Sequence, residues 1–365
     1  MKDFYEDIKN SKACHPLARA AKTDSKYWYD FDGLMRDYKT VLKKSEYESF
    51  LKKSQLDQKI SLPQYIQFAS ESCVVDYIIR TYSDDFCYEP KYEGKKNPEC
   101  SFKYHGRIVN IEVKTPDLSK REEQENEGGI KVRMADRFPS KEDADGVFQF
   151  IKNHLLEVTA ENVNEINRHD NKLKDYLVSA NGKFPKSEES FFNILVISLD
   201  KIRDLDEWYR YIFGEKGAFT KNSYIQEEYS NVDAILLTNL QHGHKSDSLF
   251  KEENYWDFKY YISLLFLNPL KEPDDRYREY YLNYAISMFG WCTKDFRSFT
   301  NEKKELSKAR HKACIDNIRE EKQREYIKQI LLSNEMFENY RIISEWCEKR
   351  ECLLNERRMI VDTGE

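Results

Sequence analysis

Residues Arg107-Ile108-Val109-Asn110-Ile111-Glu112-Val113-Lys114-Thr115 alternate apolar and polar side chains with a period of two, which is the pattern of a β-strand. In an extended chain Val109, Ile111 and Val113 share one face, while Glu112 and Lys114 stand side by side on the other. A carboxylate and an ammonium are thus presented together on a strand whose opposite face is core. His105-Gly106 just upstream is a turn signal, and Ser101 to Tyr104 before it has strand character, so the two runs predict a hairpin. That hairpin brings Glu99, thirteen residues before Glu112, alongside it. Two neighbouring carboxylates repel, and a hard divalent cation with oxygen ligands relieves the repulsion.

Upstream of the hairpin, Phe86 to Tyr92 adds a third expected strand. Ser61-Leu62-Pro63-Gln64 reads as a helix start, with an apolar stripe through Ile66, Ala69, Cys73, Tyr77 and Ile78 and with Glu71 off that stripe. Residues 1–60 carry Leu34, Tyr38, Val41 and Leu42 at helical spacing and predict two or three short helices. Downstream, the charged stretch Asp117 to Gly129 reads as a mobile loop, and a helix is expected over about 144–177. Phe191 to Leu199 and Val232 to Leu240 are apolar enough for central strands covered on both faces. From about Lys259 the pattern turns helical, and residues 301–358 form a long charged stretch with Leu306, Ala309, Ala313, Ile330, Phe337, Tyr340 and Trp346 as an expected buried face. The predicted class is α/β: a central mixed β-sheet flanked by helices, with an N-terminal helical lead (1–60), a core (61–250) and a C-terminal helical region (251–365).

The composition agrees with long elements and short loops. The 365 residues include only 12 Gly and 9 Pro but 25 Tyr, 21 Phe and 5 Trp. No apolar run approaches the roughly 20 residues needed to span a bilayer, and the first residues lack the apolar segment of a secretory signal. A cytoplasmic protein with no membrane contact is expected. The 8 Cys form no CxxC pair, which reads as reduced thiols rather than a zinc or disulfide framework. With a net charge of −6, any nucleic-acid contact must be a local basic patch. Lys131, Arg133 and Arg137 are candidates for it, and an ordinary charged turn explains them equally well.

Pro98-Glu99 followed by Glu112-Val113-Lys114 resembles the motif of the PD-(D/E)xK nuclease superfamily: an acid after Pro, a spacer, then acid-x-Lys on a strand. That superfamily often carries a Glu on the helix before the sheet, and Glu71 occupies the matching position. The resemblance covers about residues 61–240 and departs from the commonest pattern in having Glu99 where Asp is typical. It implies a restriction-endonuclease-like core and a Mg²⁺-dependent endonuclease, with Mn²⁺ as a substitute, that hydrolyses phosphodiester bonds of DNA in preference to RNA and leaves a 5′-phosphate. Under it Glu99, Glu112 and the carbonyl of Val113 bind the metal, Lys114 orients the attacking water, and Glu71 holds a second ion or an ordered water. Gln149 matches a Gln or Lys that some relatives place near the metal, against the competing reading of a solvated helix face. Restriction or anti-phage defence follows only as a fold-level analogy. The C-terminal helices are expected to make a homodimer or a protein contact.

Acid-x-Lys also occurs elsewhere in this Lys-rich chain, and Pro273-Asp274 with Glu302-Lys303-Lys304 satisfies the motif literally. That copy lies in a helical, charged context, whereas Glu112 and Lys114 lie on an apolar alternating strand. Three rivals remain open at this level, among them a wholly structural helical protein whose function is the 301–358 face. Another is a surface ion pair on a half-buried strand, and the third is a catalytically inactive nuclease-fold module that binds nucleic acid or a protein partner through its helices. His242-Gly243-His244 with Asp247 reads as a loop past a strand rather than as a metal site.

Overall fold

Ser61 caps the helix that packs against one face of the sheet. Its hydroxyl accepts from the backbone of Gln64 at 3.4 Å, and Gln64 Oε1 accepts from the Ser61 backbone at 2.9 Å, a reciprocal cap followed by Pro63 in the first turn. The computed structural model describes residues 2–10, 15–58, 60–132, 141–157, 161–187, 190–213, 217–219, 226–245, 253–268 and 284–292. In it helices α1 (Lys2–Asn10), α2 (Pro16–Lys22), α3 (Lys26–Val41) and α4 (Lys44–Ser54) precede the capped helix, α5 (Leu62–Thr81).

The chain then forms β1 (Cys87–Tyr88), β2 (Cys100–Tyr104) and β3 (Arg107–Lys114), followed by α6 (Ser119–Asn126), β4 (Ile130–Val132), α7 (Lys141–Leu156), β5 (Val163–Glu165) and α8 (Asp170–Lys183). After these come β6 (Phe191–Ser198), α9 (Ile202–Phe213), β7 (Ala234–Thr238), the short α10 (Leu240–Gly243) and β8 (Ser263–Leu267). Six strands make one sheet in the order β1-β2-β3-β6-β7-β8; β4 and β5 pair separately. Strands β1, β2 and β3 are antiparallel neighbours, β3, β6 and β7 run parallel, and β8 returns antiparallel. The β2–β3 hairpin turns through His105 at φ 44° and Gly106 at φ 82°. Two consecutive left-handed residues give the tight turn whose twist suits a hairpin.

Both faces of the sheet are covered. On one side Val109, Ile111, Val113, Ile194, Val196 and Leu236 pack with residues of α1–α5 and with Tyr284–Cys292. On the other, Leu195, Ile197, Ile235 and Leu237 pack with Leu173, Leu177, Leu205 and Trp208 of α8 and α9. Continuous apolar runs in β6 and β7 are thus the strands of a sheet buried on two sides. The α/β class with a mixed sheet flanked by helices is as expected.

Five local expectations are corrected. The N-terminal lead is built into the first core, since Phe31, Leu34 and Tyr38 share it with α5 and the sheet, and it comprises four helices. The 117–129 segment contains α6 because Arg121 is buried in ion pairs with Glu207 and Asp204, an anchor that apolar periodicity cannot register. The expected 144–177 helix is two helices separated by β5. The helical pattern expected from Lys259 opens instead on a single short 3-10 turn, Phe258–Tyr260, followed by Ser263–Leu267, the sixth strand of the sheet, buried on both faces and hence without alternation to reveal it. The expected 86–92 strand shrinks to Cys87–Tyr88. The 301–358 face and the Glu302-Lys304 motif copy lie outside the described residues. No helix among the described residues is long and apolar enough to cross a membrane.

Candidate active site

The hairpin register delivers the pair of carboxylates. Cys100 faces Ile111 across β2 and β3, so the next pair outward is Glu99 and Glu112; Glu99 N donates to Ile111 O at 3.0 Å to extend the ladder. The Pro98-Glu99 and Glu112-Val113-Lys114 motifs therefore meet. Glu112 is fully buried, while Glu99 and Lys114 keep 19% and 21% of their side-chain surface. Val113 points into the first core and sits opposite Val196 in the sheet.

Lys183, the last residue of α8, completes the cluster. Its Nζ lies 2.7 Å from Glu112 Oε1, 2.9 Å from Glu112 Oε2 and 3.4 Å from Glu99 Oε1. Lys114 Nζ adds a contact of 2.8 Å to Glu112 Oε1. Although two ammonium groups are this close, Oε1 has no aligned hydrogen-bond donor, so it is held by charge alone. Burial opposes the charge on Lys183, but Glu112 and Glu99 outweigh it and raise its pKa. The reverse holds for Glu99: burial and then the Glu112 charge push its carboxyl up, against the pull of Lys183.

Glu71 approaches from α5. Its Oε1 accepts from Gln67 Nε2 at 2.9 Å, and with Glu99 it lines a cleft of about 340 Å³. Burial, followed by the Glu99 charge, pushes its carboxyl up to about 8. Near neutral pH this favours the protonated form of Glu71, close to the Glu99 and Glu112 carboxylates and the Lys183 ammonium.

Farther along β3 the same face continues as a buried polar ladder: Tyr92 Oη donates to Asn110 Oδ1 at 2.5 Å, and Asn110 Nδ2 to Asn193 Oδ1 at 2.8 Å. The strand face opposite the core is therefore polar but covered, not a solvated surface.

Glu71, Glu99, Glu112 and Lys114 are thus brought to one place. Gln149 is not: it is exposed on α7, and Lys183 from the following helix takes the position beside the carboxylates. Lys131 Nζ donates to Gly128 O at 3.0 Å within the β4 region, a local turn contact. Arg133 and Arg137 lie outside the described residues. His244 is buried, with Nδ1 2.6 Å from Tyr27 Oη and Nε2 3.3 Å from Cys73 Sγ, which makes it a core hydrogen-bonding residue. Among the described residues no group of three or more His, Cys, Asp or Glu side chains is disposed to hold a metal ion; the cation joining Glu99 to Glu112 is the Lys183 ammonium. Comparison of the chain with family models, curated proteins and solved structures finds no match.

Proposed function

We propose that the chain is a divalent-metal-dependent nuclease that hydrolyses phosphodiester bonds of DNA on a restriction-endonuclease-like core. The observation that carries this reading is the hairpin register that sets Glu99 beside Glu112, with Lys114 two residues farther along the same strand. Element order supports it: helix α5, the antiparallel strands β1–β3, a crossover through α8 and the parallel strand β6 follow the sequence such a core requires.

The donor set is oxygen only, and Glu112 Oε1 is buried without an aligned donor, which suits a hard divalent cation such as Mg²⁺, or Mn²⁺ in its place. Glu99, Glu112 and the carbonyl of Val113 would hold it, in competition with Lys183. Bound there, the ion supplies Lewis-acid stabilisation of the charge that develops on the phosphate. Lys114 presents its ammonium at the accessible margin of the site, where it orients a water for in-line attack and stabilises the developing charge. Glu71, protonated near neutrality, adds no third negative charge and donates a hydrogen bond instead.

End-labelled single-stranded and duplex DNA test the assignment. Wild type in Mg²⁺ should leave 5′-phosphate products, and Lys114→Ala should lose roughly 100-fold in rate with its melting temperature preserved. Wild-type rates in that variant would overturn it. One observation favours a second reading: Lys183 already neutralises the carboxylate pair, as it would in a nuclease-fold module that binds nucleic acid or a protein partner without turnover. DNA binding with no cleavage in Mg²⁺ or Mn²⁺ would select that reading.

A further inference from the structure

Glu71 and Glu99 have a second role as one wall of the 340 Å³ cleft, whose remaining walls come largely from α3, α4 and α5. Its size is at the small end of the roughly 300–1,000 Å³ of single-ligand sites. Phe50, Phe68 and Tyr88 give it aromatic surface. They form a fixed assembly: Phe50 stacks on Tyr38 at 4.5 Å, tilts against Phe68 at 5.6 Å and meets Tyr88 edge-on at 6.4 Å.

Amides border the same space. Gln64 uses its carbonyl oxygen on the α5 cap, and Gln67 uses its amide nitrogen on Glu71, so one keeps donors and the other keeps an acceptor. Lys53 stands at the mouth, 56% exposed and 2.7 Å from Glu89 Oε2.

Ser72 adds a polar group just behind the lining. It is 1% exposed and lines the cleft, and its Oγ has no hydrogen-bond partner. Its carbonyl already accepts from Tyr38 Oη at 3.2 Å, so the hydroxyl alone is left. An unpaired buried hydroxyl is costly, and a small shift of the lining would open this one to a group held in the cleft.

A flat π-face with donors and acceptors along its edge fits such a lining, and a nucleobase has both. We propose that the cleft takes one nucleobase, supplied by a single strand or extruded from a duplex, so that the bond cut lies next to an unpaired nucleotide. The choice of occupant rests on the nuclease reading, because the shared wall of Glu71 and Glu99 is what brings a phosphodiester to the mouth of the cleft.

The probe is 2-aminopurine deoxyriboside 5′-monophosphate, which has no phosphodiester to cut and loses fluorescence on stacking. Titrated with the full chain in Mg²⁺ it should be quenched saturably. Ser72→Ala should weaken binding about fivefold without lowering the melting temperature, whereas a merely structural hydroxyl would move stability and not affinity. Phe68→Leu should weaken binding about tenfold and relieve the quench.

In a second arm the fluorophore is placed in a single-stranded oligonucleotide, in a paired duplex and opposite a mismatch. Quenching confined to the single strand identifies strand ends or gaps as the source of the base, and a response from the mismatch identifies extrusion. Saturable quenching without DNA cleavage would keep the base site and remove the nuclease reading. Cleavage without quenching, or wild-type affinity in both variants, would remove the base site and leave the nuclease.

Discussion

The ammonium of Lys183 lies 2.7 Å from Oε1 of the fully buried Glu112, although 71 residues separate the two in the chain. A buried carboxylate that loses one of two cations, here with Lys114 still 2.8 Å away, is left less compensated, which costs up to about 3 kcal/mol. Lys183→Met should therefore lower stability by about that amount in metal-free buffer at pH 8. Because Mg²⁺ competes for the same carboxylates, adding it should restore most of the loss and raise the melting temperature more than in wild type. Denaturant titrations with and without Mg²⁺ check this; an equal Mg²⁺ response in both proteins would place the metal elsewhere.

Glu71 makes stability depend on pH in a definite direction. Its folded pKa is about 8, against about 4.3 for an unfolded Glu, so between those values the folded state binds more protons than the unfolded one. Stability should fall as pH rises through that window and level off above pH 8. Glu71→Gln should flatten the profile and raise the melting temperature at pH 8. A shallower step should persist from Asp76, pushed up to about 7 by burial against the opposing pull of Arg80. An unaltered profile in Glu71→Gln would show that its carboxyl titrates normally.

Much of the site is legible in the sequence because its parts are local. Period-two alternation locates Glu112 and Lys114, and the two-residue turn His105-Gly106 fixes the register that brings Glu99 alongside. Glu71 is legible only through the resemblance, as the Glu on the helix before the sheet, since its place off the apolar stripe of α5 does not by itself mark a site. Lys183 is not, since its position depends on how α8 crosses between the parallel strands β3 and β6, and no local pattern encodes that. The pairing of β8 with β7 and the burial of Arg121 are lost for the same reason: each is specified by partners distant in sequence.

Arg121 fixes α6 immediately after the Lys114 strand. Its guanidinium faces Asp204 at 3.3 Å and bonds Glu207, all three side chains being buried. Arg121→Leu removes the cation but keeps the bulk, and should cost about 3 kcal/mol. Hydrogen exchange should show the loss concentrated in α6 and α9. Protection unchanged in both helices would mean that packing rather than charge holds α6.

The N-terminal helices should be inseparable from the rest. Tyr27 Oη is 2.5 Å from Tyr65 Oη on α5 and 2.6 Å from His244 beyond β7, and Trp256 Nε1 donates to the Tyr27 carbonyl at 3.1 Å. Removing residues 1–60 strips this core face and the α3 and α4 wall of the cleft. The truncated chain should lose cooperative thermal unfolding and bind a dye for exposed apolar surface. A sharp transition in the truncated protein would make the helical lead an independent unit.

The nuclease claim is tested most directly by supercoiled plasmid incubated with purified wild type and with Glu112→Gln, each in Mg²⁺, Mn²⁺ and EDTA. The substitution keeps the shape of Glu112 but removes the charge that would hold the metal. Wild type should nick or linearise the plasmid in either metal and leave it intact in EDTA, while Glu112→Gln should leave it intact throughout. Intact plasmid with wild type in both metals, or equal cutting by Glu112→Gln, would contradict the account.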